Sequence, residues 1–101
     1  MEIPFFMPYV FTAITSYLLG SIPFGYLLVR VFRGEDVRKS GSGNIGATNV
    51  SRTSTGLGAA TLVLDALKGL AAVALARRLH PGDVQFLAFA ALCAIAGHMF
   101  P

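Results

Sequence analysis

A long stretch near the start of the chain, residues 3–29, contains no charged side chain, and this feature limits the fold more than any other. A helix of about 20 apolar residues spans the hydrocarbon core of a bilayer, so the stretch is long enough to cross a membrane. It is too long for a cleaved signal peptide and lacks the basic start of one. Only 13% of all residues are charged, too few for the surface of a soluble domain. The pattern predicts a membrane protein whose first transmembrane helix covers about 5–32.

An interruption is predicted within this first helix, because Pro23 lies in the sequence GSIPFG at residues 20–25. Proline lacks a backbone N–H and frees a carbonyl group, so it kinks or breaks a helix. A helix broken here would open towards a site or a neighbouring helix. A kink without a chemical role is the alternative.

Two further apolar runs predict transmembrane helices over about 57–76 and 84–100. The first of them contains Asp65 and Lys68, which are three residues apart and therefore share one helix face. Charges at this depth are costly and face a protein interior or a wet cavity, so a structural pair that ties the helix to its neighbours is favoured over direct catalysis. The three runs predict an all-α, polytopic transmembrane fold with a polar loop over 33–56.

Residues 40–52, here called the glycine loop, form the most polar segment between the first two apolar runs. Glycines permit tight turns and a close approach to a ligand, and successive backbone N–H groups in such a loop can form an anion-binding nest. Arg52 at its end can hold a phosphate through two parallel hydrogen bonds. The glycine loop therefore predicts a phosphate-binding site at the membrane surface, with a flexible polar linker as the alternative.

Two nucleotide-binding motifs match the glycine loop but lack their structural context. Gly41-x-Gly43-x-x-Gly46 fits the dinucleotide fingerprint, and Asp65 follows at roughly the expected spacing, yet that motif requires a preceding strand and a βαβ unit. The segment also resembles a P-loop, but Ala47 stands where the lysine would be. Because membrane-length apolar runs flank the segment, we reject both nucleotide-binding interpretations.

Basic residues concentrate around the glycine loop and do not form the stripe typical of nucleic-acid binding. Five of the eight are Arg30, Arg33, Arg38, Lys39 and Arg52, whereas the turn over 77–83 has two. Most of the mixed charges over 33–39 are interpreted as a solvated face at the membrane surface. The positive-inside rule puts the glycine loop in the cytoplasm and the N-terminus outside. Because successive spans cross the membrane in opposite directions, the third helix ends on the cytoplasmic side and brings His98 to the face that carries the glycine loop.

Four segments, in this order and spacing, resemble the bacterial acyl-phosphate:glycerol-3-phosphate acyltransferases: GSIPFGYLLVR (20–30), GSGNIGATNVSR (41–52), LDALKG (64–69) and AGHMFP (96–101). The resemblance implies a plasma-membrane enzyme that transfers a fatty acyl group from acyl phosphate to glycerol 3-phosphate. The product would be lysophosphatidic acid, formed in the first step of phospholipid synthesis.

The resemblance also assigns site residues. The phosphate-binding motif corresponds to Gly41, Ser42, Gly43, Asn44, Gly46, Thr48, Asn49 and Arg52. The first motif contributes Ser21, as a candidate catalytic residue, and Arg30, as a substrate-binding residue. His98 opens the third motif and is the second candidate catalytic residue, acting as a base on the attacking hydroxyl or as a hydrogen-bonding positioner.

The resemblance covers the whole chain but only about the first half of the family's length, because the lysine- and glycine-rich stretch that follows its third motif is missing. We therefore interpret residues 1–101 as an N-terminal fragment or a truncated product, and we expect it to be inactive alone. The rival hypothesis is a subunit of an anion transporter, which would require polar residues on both membrane faces. A structural helix-packing subunit is a third alternative, but it leaves the glycine loop unexplained.

Metals and soluble cofactors are not predicted, since Cys93 is the only cysteine and no cluster of His, Cys and carboxylate has ligand spacing. The predicted partners are glycerol 3-phosphate, acyl phosphate and the lipid bilayer. The sequence leaves open whether the protein forms a homo-oligomer.

Overall fold

The computed structural model describes residues 5–101, so the first two positions of the uncharged stretch, Ile3 and Pro4, lie outside the described residues. Within that part of the chain all regular structure is helical, which confirms the predicted all-α fold. The helices are α1 Met7–Gly20, α2 Phe24–Arg33, α3 Ala47–Thr53, α4 Thr55–Leu79 and α5 Val84–Met99, with one 3-10 turn at Val37–Lys39.

Among residues 5–101, two segments are long and apolar enough to cross a membrane, judged by length and composition: Met7–Arg33, which contains α1 and α2, and α4. Helix α4 extends beyond the predicted 57–76 because Arg77 and Arg78 continue it, and basic residues are favourable at a helix C-terminus. Helix α5 has 16 residues, fewer than the about 20 that usually span a bilayer. Two candidate spans are therefore present, and the third stays a prediction.

The predicted first helix over 5–32 is divided into α1 and α2. Helix α1 ends at Gly20 and α2 begins at Phe24, directly after Pro23. Pro23 has no N–H for the i−4 carbonyl, so the α-helical ladder cannot continue through it. The predicted interruption at this proline is therefore confirmed, and α1 and α2 together form one candidate span, Met7–Arg33.

Helices α1 and α5 pack against each other, largely through small side chains, within one compact unit that comprises residues 5–22 and 68–101 of the described chain. The buried positions are Thr12, Ser16 and Gly20 on α1 and Phe86, Ala90, Ala94 and Gly97 on α5. A Cβ atom on Gly20 would overlap the carbonyl oxygen of Ala94, and one on Gly97 would overlap the carbonyl oxygen of Tyr17. Small residues let helix backbones approach closely, a common way for membrane helices to associate.

The two helices run parallel, because their early ends also meet. The Tyr9 ring packs edge-on against Phe86 and Phe89, with centroid distances of 4.9 and 5.3 Å. Towards the other end, the hydroxyl of Tyr17 donates to the carbonyl oxygen of Phe100. The end of α1 and the end of α5 are therefore neighbours.

A second compact unit, residues 23–67, contains α2, α3 and the glycine loop. Its core consists of Val29, Val37 and Val50, all fully buried. A Cβ atom on Gly25 would overlap the carbonyl oxygen of Ile45, so α2 touches the backbone of the glycine loop directly. The valine core fixes α2, the 3-10 turn and α3 to one another.

The segment 33–56, predicted as a polar loop, contains two short helical elements that were not predicted, the 3-10 turn Val37–Lys39 and helix α3. Both elements carry one of the buried valines, Val37 and Val50, and burial of these side chains stabilises them. Helix α3 occupies the second half of the glycine loop, so this segment is a turn followed by a helix.

Candidate functional site

The side chain of Asn49, on α3, organises the glycine loop. It is 3% exposed, and its amide nitrogen donates to the carbonyl oxygens of Asn44 (2.8 Å), Ser40 (3.0 Å) and Val37 (3.3 Å). Its Oδ1 accepts from the Ser42 N–H at 3.1 Å. An asparagine side chain has two donor hydrogens and one acceptor oxygen, so the loop takes up its hydrogen-bonding capacity. Asn49 thus fixes the shape of the loop.

Two glycines of the loop occupy positions where no other residue fits well. Gly41 has φ +54°, and a Cβ atom on it would overlap Oδ1 of Asn49. Gly43 has φ +77°, and its Cβ would lie 3.0 Å from the carbonyl oxygen of Arg38. The left-handed backbone and the close contacts both favour glycine at these sites.

Four backbone N–H groups of the loop donate within the loop. Besides the Ser42 N–H, the Gly43 N–H donates to the carbonyl oxygen of Ser40 at 2.9 Å. The Asn44 N–H donates to Oγ of Ser42 (3.3 Å), and the Gly46 N–H donates to Oδ1 of Asn44 (2.7 Å). A nest of successive free N–H groups is therefore not formed at these positions.

A cavity of about 280 Å³ lies beside the loop. Its lining residues are all uncharged: Ser42, Asn44, Gly46, Ala47, Thr48 and Asn49. Ser42, Asn44 and Thr48 are exposed. Arg52, also exposed, lies one turn after Thr48 on α3, and its Nη1 is 3.5 Å from Oδ1 of Asn49. Hydroxyl and amide groups thus line one small cavity, and the Arg52 guanidinium lies beside one of its lining residues, a combination that suits a phosphate ester.

Asp36 and Arg38, which lie just before the glycine loop, form an ion pair. Nε and Nη2 of Arg38 donate to the two carboxylate oxygens of Asp36 at 2.9 and 2.8 Å. The Arg38 guanidinium carbon lies 4.5 Å from the ring centroid of Tyr26, a cation–π contact. Hydrogen bonds from Arg38 lower the pKa of Asp36 from 3.8 to about 2, and those to Asp36 raise the pKa of Arg38. Arg38 stays exposed in this pair and Asp36 is half-buried, so the pair is compatible with the predicted solvated face. The pairing itself was not predicted, and the Asp-x-Arg spacing was the overlooked signal.

The two candidate catalytic residues belong to neighbouring segments at the ends of α1 and α5. Ser21 follows α1 directly, and a Cβ atom on Gly97 would lie 2.9 Å from the Ser21 nitrogen. His98 is the next residue after Gly97 and is exposed in the last turn of α5. Sequence reasoning missed the contact of Gly97 with the end of α1, because a contact between two helices leaves no signal in the sequence. The parallel packing therefore brings the Ser21 and His98 segments together.

The remaining predicted site residues lie on α2 and α4. Arg30 is exposed in the last turn of α2. Lys68 is 6% exposed and donates through Nζ to the carbonyl oxygen of Ile22, whereas Asp65 is half-buried. The Asp65–Lys68 pairing and the convergence of His98 with the glycine loop stay predictions.

Comparisons with known proteins match this chain to one family. The family model described as glycerol-3-phosphate acyltransferase matches residues 10–101. A glycerol-3-phosphate acyltransferase of Gluconobacter oxydans (strain 621H) is 55% identical over 94 residues, which is 91% of this chain and 45% of that protein. Enzymes of the same name from Rhodopseudomonas palustris (strain BisB5) and Mesorhizobium japonicum are 54% and 56% identical, over 92% and 91% of this chain and 47% and 46% of their own lengths. The chain thus spans about half the length of these curated relatives. No solved structure gives a significant match.

Proposed function

The chain belongs to the glycerol-3-phosphate acyltransferase family, and from that premise we propose that it binds glycerol 3-phosphate for transfer of a fatty acyl group. The donor is acyl phosphate and the product is lysophosphatidic acid, formed in the first step of phospholipid synthesis. The glycine loop carries this proposal, since it surrounds a small polar cavity with hydroxyl groups beside an exposed arginine.

The protein crosses the inner (plasma) membrane three times, with the glycine loop in the cytoplasm and the N-terminus outside. The parallel course of α1 and α5 supports this topology, because a first and a third span must run in the same direction. The concentration of basic residues around the glycine loop supports its cytoplasmic side.

The phosphate of glycerol 3-phosphate is held by Arg52, Ser42 and Thr48. A guanidinium can grip two phosphate oxygens at once, and the two hydroxyls can donate to the others. Arg30 adds positive charge nearer the membrane. Asn49 supports these groups without contacting the phosphate itself, because it fixes the backbone that carries Ser42.

The fatty acyl chain lies along the apolar helices. A groove of about 390 Å³ beside α1 and α5 supports this assignment, and it is lined by Ala13, Ile14, Tyr17, Leu18, Cys93 and Ala96. Such a surface matches an alkyl chain and offers little to a polar ligand.

In the reaction, a hydroxyl oxygen of glycerol 3-phosphate attacks the carbonyl carbon of acyl phosphate. A new ester bond forms, the bond from the acyl carbon to the phosphate oxygen breaks, and inorganic phosphate leaves with the electron pair. Acyl phosphate is an activated mixed anhydride, so no covalent acyl-enzyme is required. The proton of the attacking hydroxyl goes to His98 or to the departing phosphate. Ser21 offers its hydroxyl oxygen as an acceptor, since its proton is donated to the Leu18 carbonyl at 2.8 Å.

The test uses two proteins in liposomes: the 101-residue chain, and a chimera that joins it to the part of the Gluconobacter oxydans relative that it does not match. Each receives glycerol 3-phosphate with palmitoyl phosphate or, in parallel, with palmitoyl-CoA. We expect lysophosphatidic acid from the chimera with palmitoyl phosphate alone. A folded chimera that forms no product from either donor would overturn the enzyme proposal and favour the anion-transporter hypothesis.

A further inference from the structure

Lys68 is a buried cation with a long-range partner. Its side chain is 6% exposed, and its Nζ donates to the carbonyl oxygen of Ile22, 46 positions away, at 3.0 Å. Burial of an ammonium group away from water is costly unless its N–H donors form hydrogen bonds with acceptors. Charged groups are especially costly within a membrane. A hydrogen bond from such a group to a main-chain carbonyl therefore suggests a specific structural task.

The acceptor lies where the hydrogen-bond ladder of α1 ends. Because Pro23 has no N–H, the carbonyl of Leu19 accepts from the Ile22 N–H at 3.3 Å. The carbonyl of Leu18, which that N–H would otherwise reach, accepts from the hydroxyl of Ser21 at 2.8 Å. Carbonyls released by a proline in a membrane helix require side-chain donors, because water is scarce there. Local groups donate to the Leu18 and Leu19 carbonyls. The Ile22 carbonyl lies in the gap between α1 and α2, outside either helix, and its donor comes from α4.

The backbone from Ser21 to Ile22 is thereby fixed on several sides. The Ser21 hydroxyl is bonded to Leu18, the Ile22 carbonyl is bonded to Lys68, and the Ser21 nitrogen lies against Gly97. Of these three contacts, only the hydrogen bond from Lys68 is made by a long, charged side chain on a different helix. Its removal would release the end of α1 while leaving the packing of Gly97 in place.

We propose that Lys68 is a positioning residue for acyl transfer. Its hydrogen bond to the Ile22 carbonyl holds the Ser21 segment in register with His98. This inference rests on the proposed function, in which Ser21 and His98 act at the reacting groups. It assigns Lys68 an effect on the chemical step, exerted through the backbone and without contact to the substrate.

The contact can be observed directly by NMR. The sequence contains two Ile–Pro pairs, Ile3–Pro4 and Ile22–Pro23, so ¹³C-carbonyl isoleucine combined with ¹⁵N-proline gives two signals. We expect Lys68→Met to shift the Ile22 carbonyl signal, because the hydrogen bond is lost at nearly constant side-chain volume. The Ile3 signal serves as an internal reference. Lys68→Arg, which retains a donor, is expected to give a smaller shift.

The catalytic effect is measured on the chimera. Displacement of a catalytic group by about 1 Å can cost up to about 100-fold in rate, so we expect Lys68→Met to lower kcat by roughly 10- to 100-fold. The KM for glycerol 3-phosphate should stay within about twofold, since the proposed phosphate ligands lie on the glycine loop. Lys68→Arg should recover part of kcat. Leu67→Met, at the preceding and half-exposed position of α4, is the matched control and should change neither constant.

Two results would overturn the inference. One is an Ile22 signal that does not respond to Lys68→Met, which would mean that the hydrogen bond is absent. The other is a shifted signal with unchanged kcat, which would make the contact structural only. If the unmutated chimera is inactive, the proposed function fails and the positioning role fails with it, while the NMR signal alone decides whether the Lys68–Ile22 contact exists.

Discussion

The two compact units of this protein are stabilised by different means. The unit of residues 23–67 is organised by hydrogen bonds that converge on one buried amide, Asn49, whereas the unit of α1 and α5 is organised by backbones that touch at Gly20 and Gly97. Hydrogen bonds are directional, so the first unit specifies where polar atoms lie. Close packing is sensitive to volume, so the second unit specifies how far apart two helices stand. The unit of residues 23–67 is therefore suited to holding a ligand, and the unit of α1 and α5 is suited to aligning the segments that contain Ser21 and His98.

The largest effect is expected from removal of the amide in the first unit. Asn49→Ala leaves three carbonyl oxygens and the Ser42 N–H without their partner, and each buried unsatisfied group costs about 1–3 kcal/mol. We expect the glycine loop to lose its shape and the KM for glycerol 3-phosphate to rise by more than about 100-fold, with kcat/KM falling in parallel. Hydrogen exchange of the amides over 40–46 should accelerate. Unchanged exchange in Asn49→Ala would contradict the role of Asn49 as organiser.

A smaller effect, confined to binding, is expected from Arg52→Ala. Loss of charge-assisted hydrogen bonds should raise the KM for glycerol 3-phosphate by about 10- to 100-fold, equivalent to about 1.5–3 kcal/mol. Since Arg52 is exposed, the Tm in detergent should change little. Arg78→Ala, an exposed arginine in the last turn of α4, is the matched control. An unchanged KM in Arg52→Ala would remove this residue from the site.

The second unit is tested by Gly97→Ala. The added methyl group overlaps the carbonyl oxygen of Tyr17, and such overpacking costs about 1–3 kcal/mol. We expect a lower Tm and a lower kcat, with the KM for glycerol 3-phosphate nearly unchanged. Gly69→Ala, a helical glycine whose Cβ position has no neighbour within 4 Å, is the control and should retain both stability and kcat. Equal behaviour of the two variants would show that α1 and α5 are not in close contact.

The smallest effect concerns the Asp36–Arg38 pair and depends on pH. The pKa of Asp36 is lowered from 3.8 to about 2, so the pair stabilises the folded unit fully above about pH 4. This contribution is lost as the pH falls through the window from about 3.8 to about 2. The Arg38 side-chain N–H signals in NMR should follow this titration. Asp36→Asn should abolish the pH dependence, and a titration midpoint near 3.8 in the unmutated protein would contradict the pairing.

Apolar runs and proline position were sufficient to predict most of the helices, because membrane-length helices depend on composition more than on specific contacts. Helix α3 was not predicted, since its stability depends on the burial of Val50 against Val29 and Val37, which are distant in sequence. The glycine loop was recognised from its residue types, but the role of Asn49 was not, because the direction of an amide side chain is set by tertiary contacts. Gly97 was missed for the same reason. Sequence therefore identified the helical segments and the glycine-rich segment, and the structure assigns the hydrogen bonds that shape them.

The contact between Gly41 and Asn49 also limits how this protein can evolve. A side chain at position 41 would overlap Oδ1 of Asn49, and replacement of Asn49 would leave the loop around Gly41 without support. A substitution at either position alone therefore disrupts the glycine loop, and the two positions are expected to show strong epistasis. Lineages that diverge elsewhere in this segment should keep or lose this pair together.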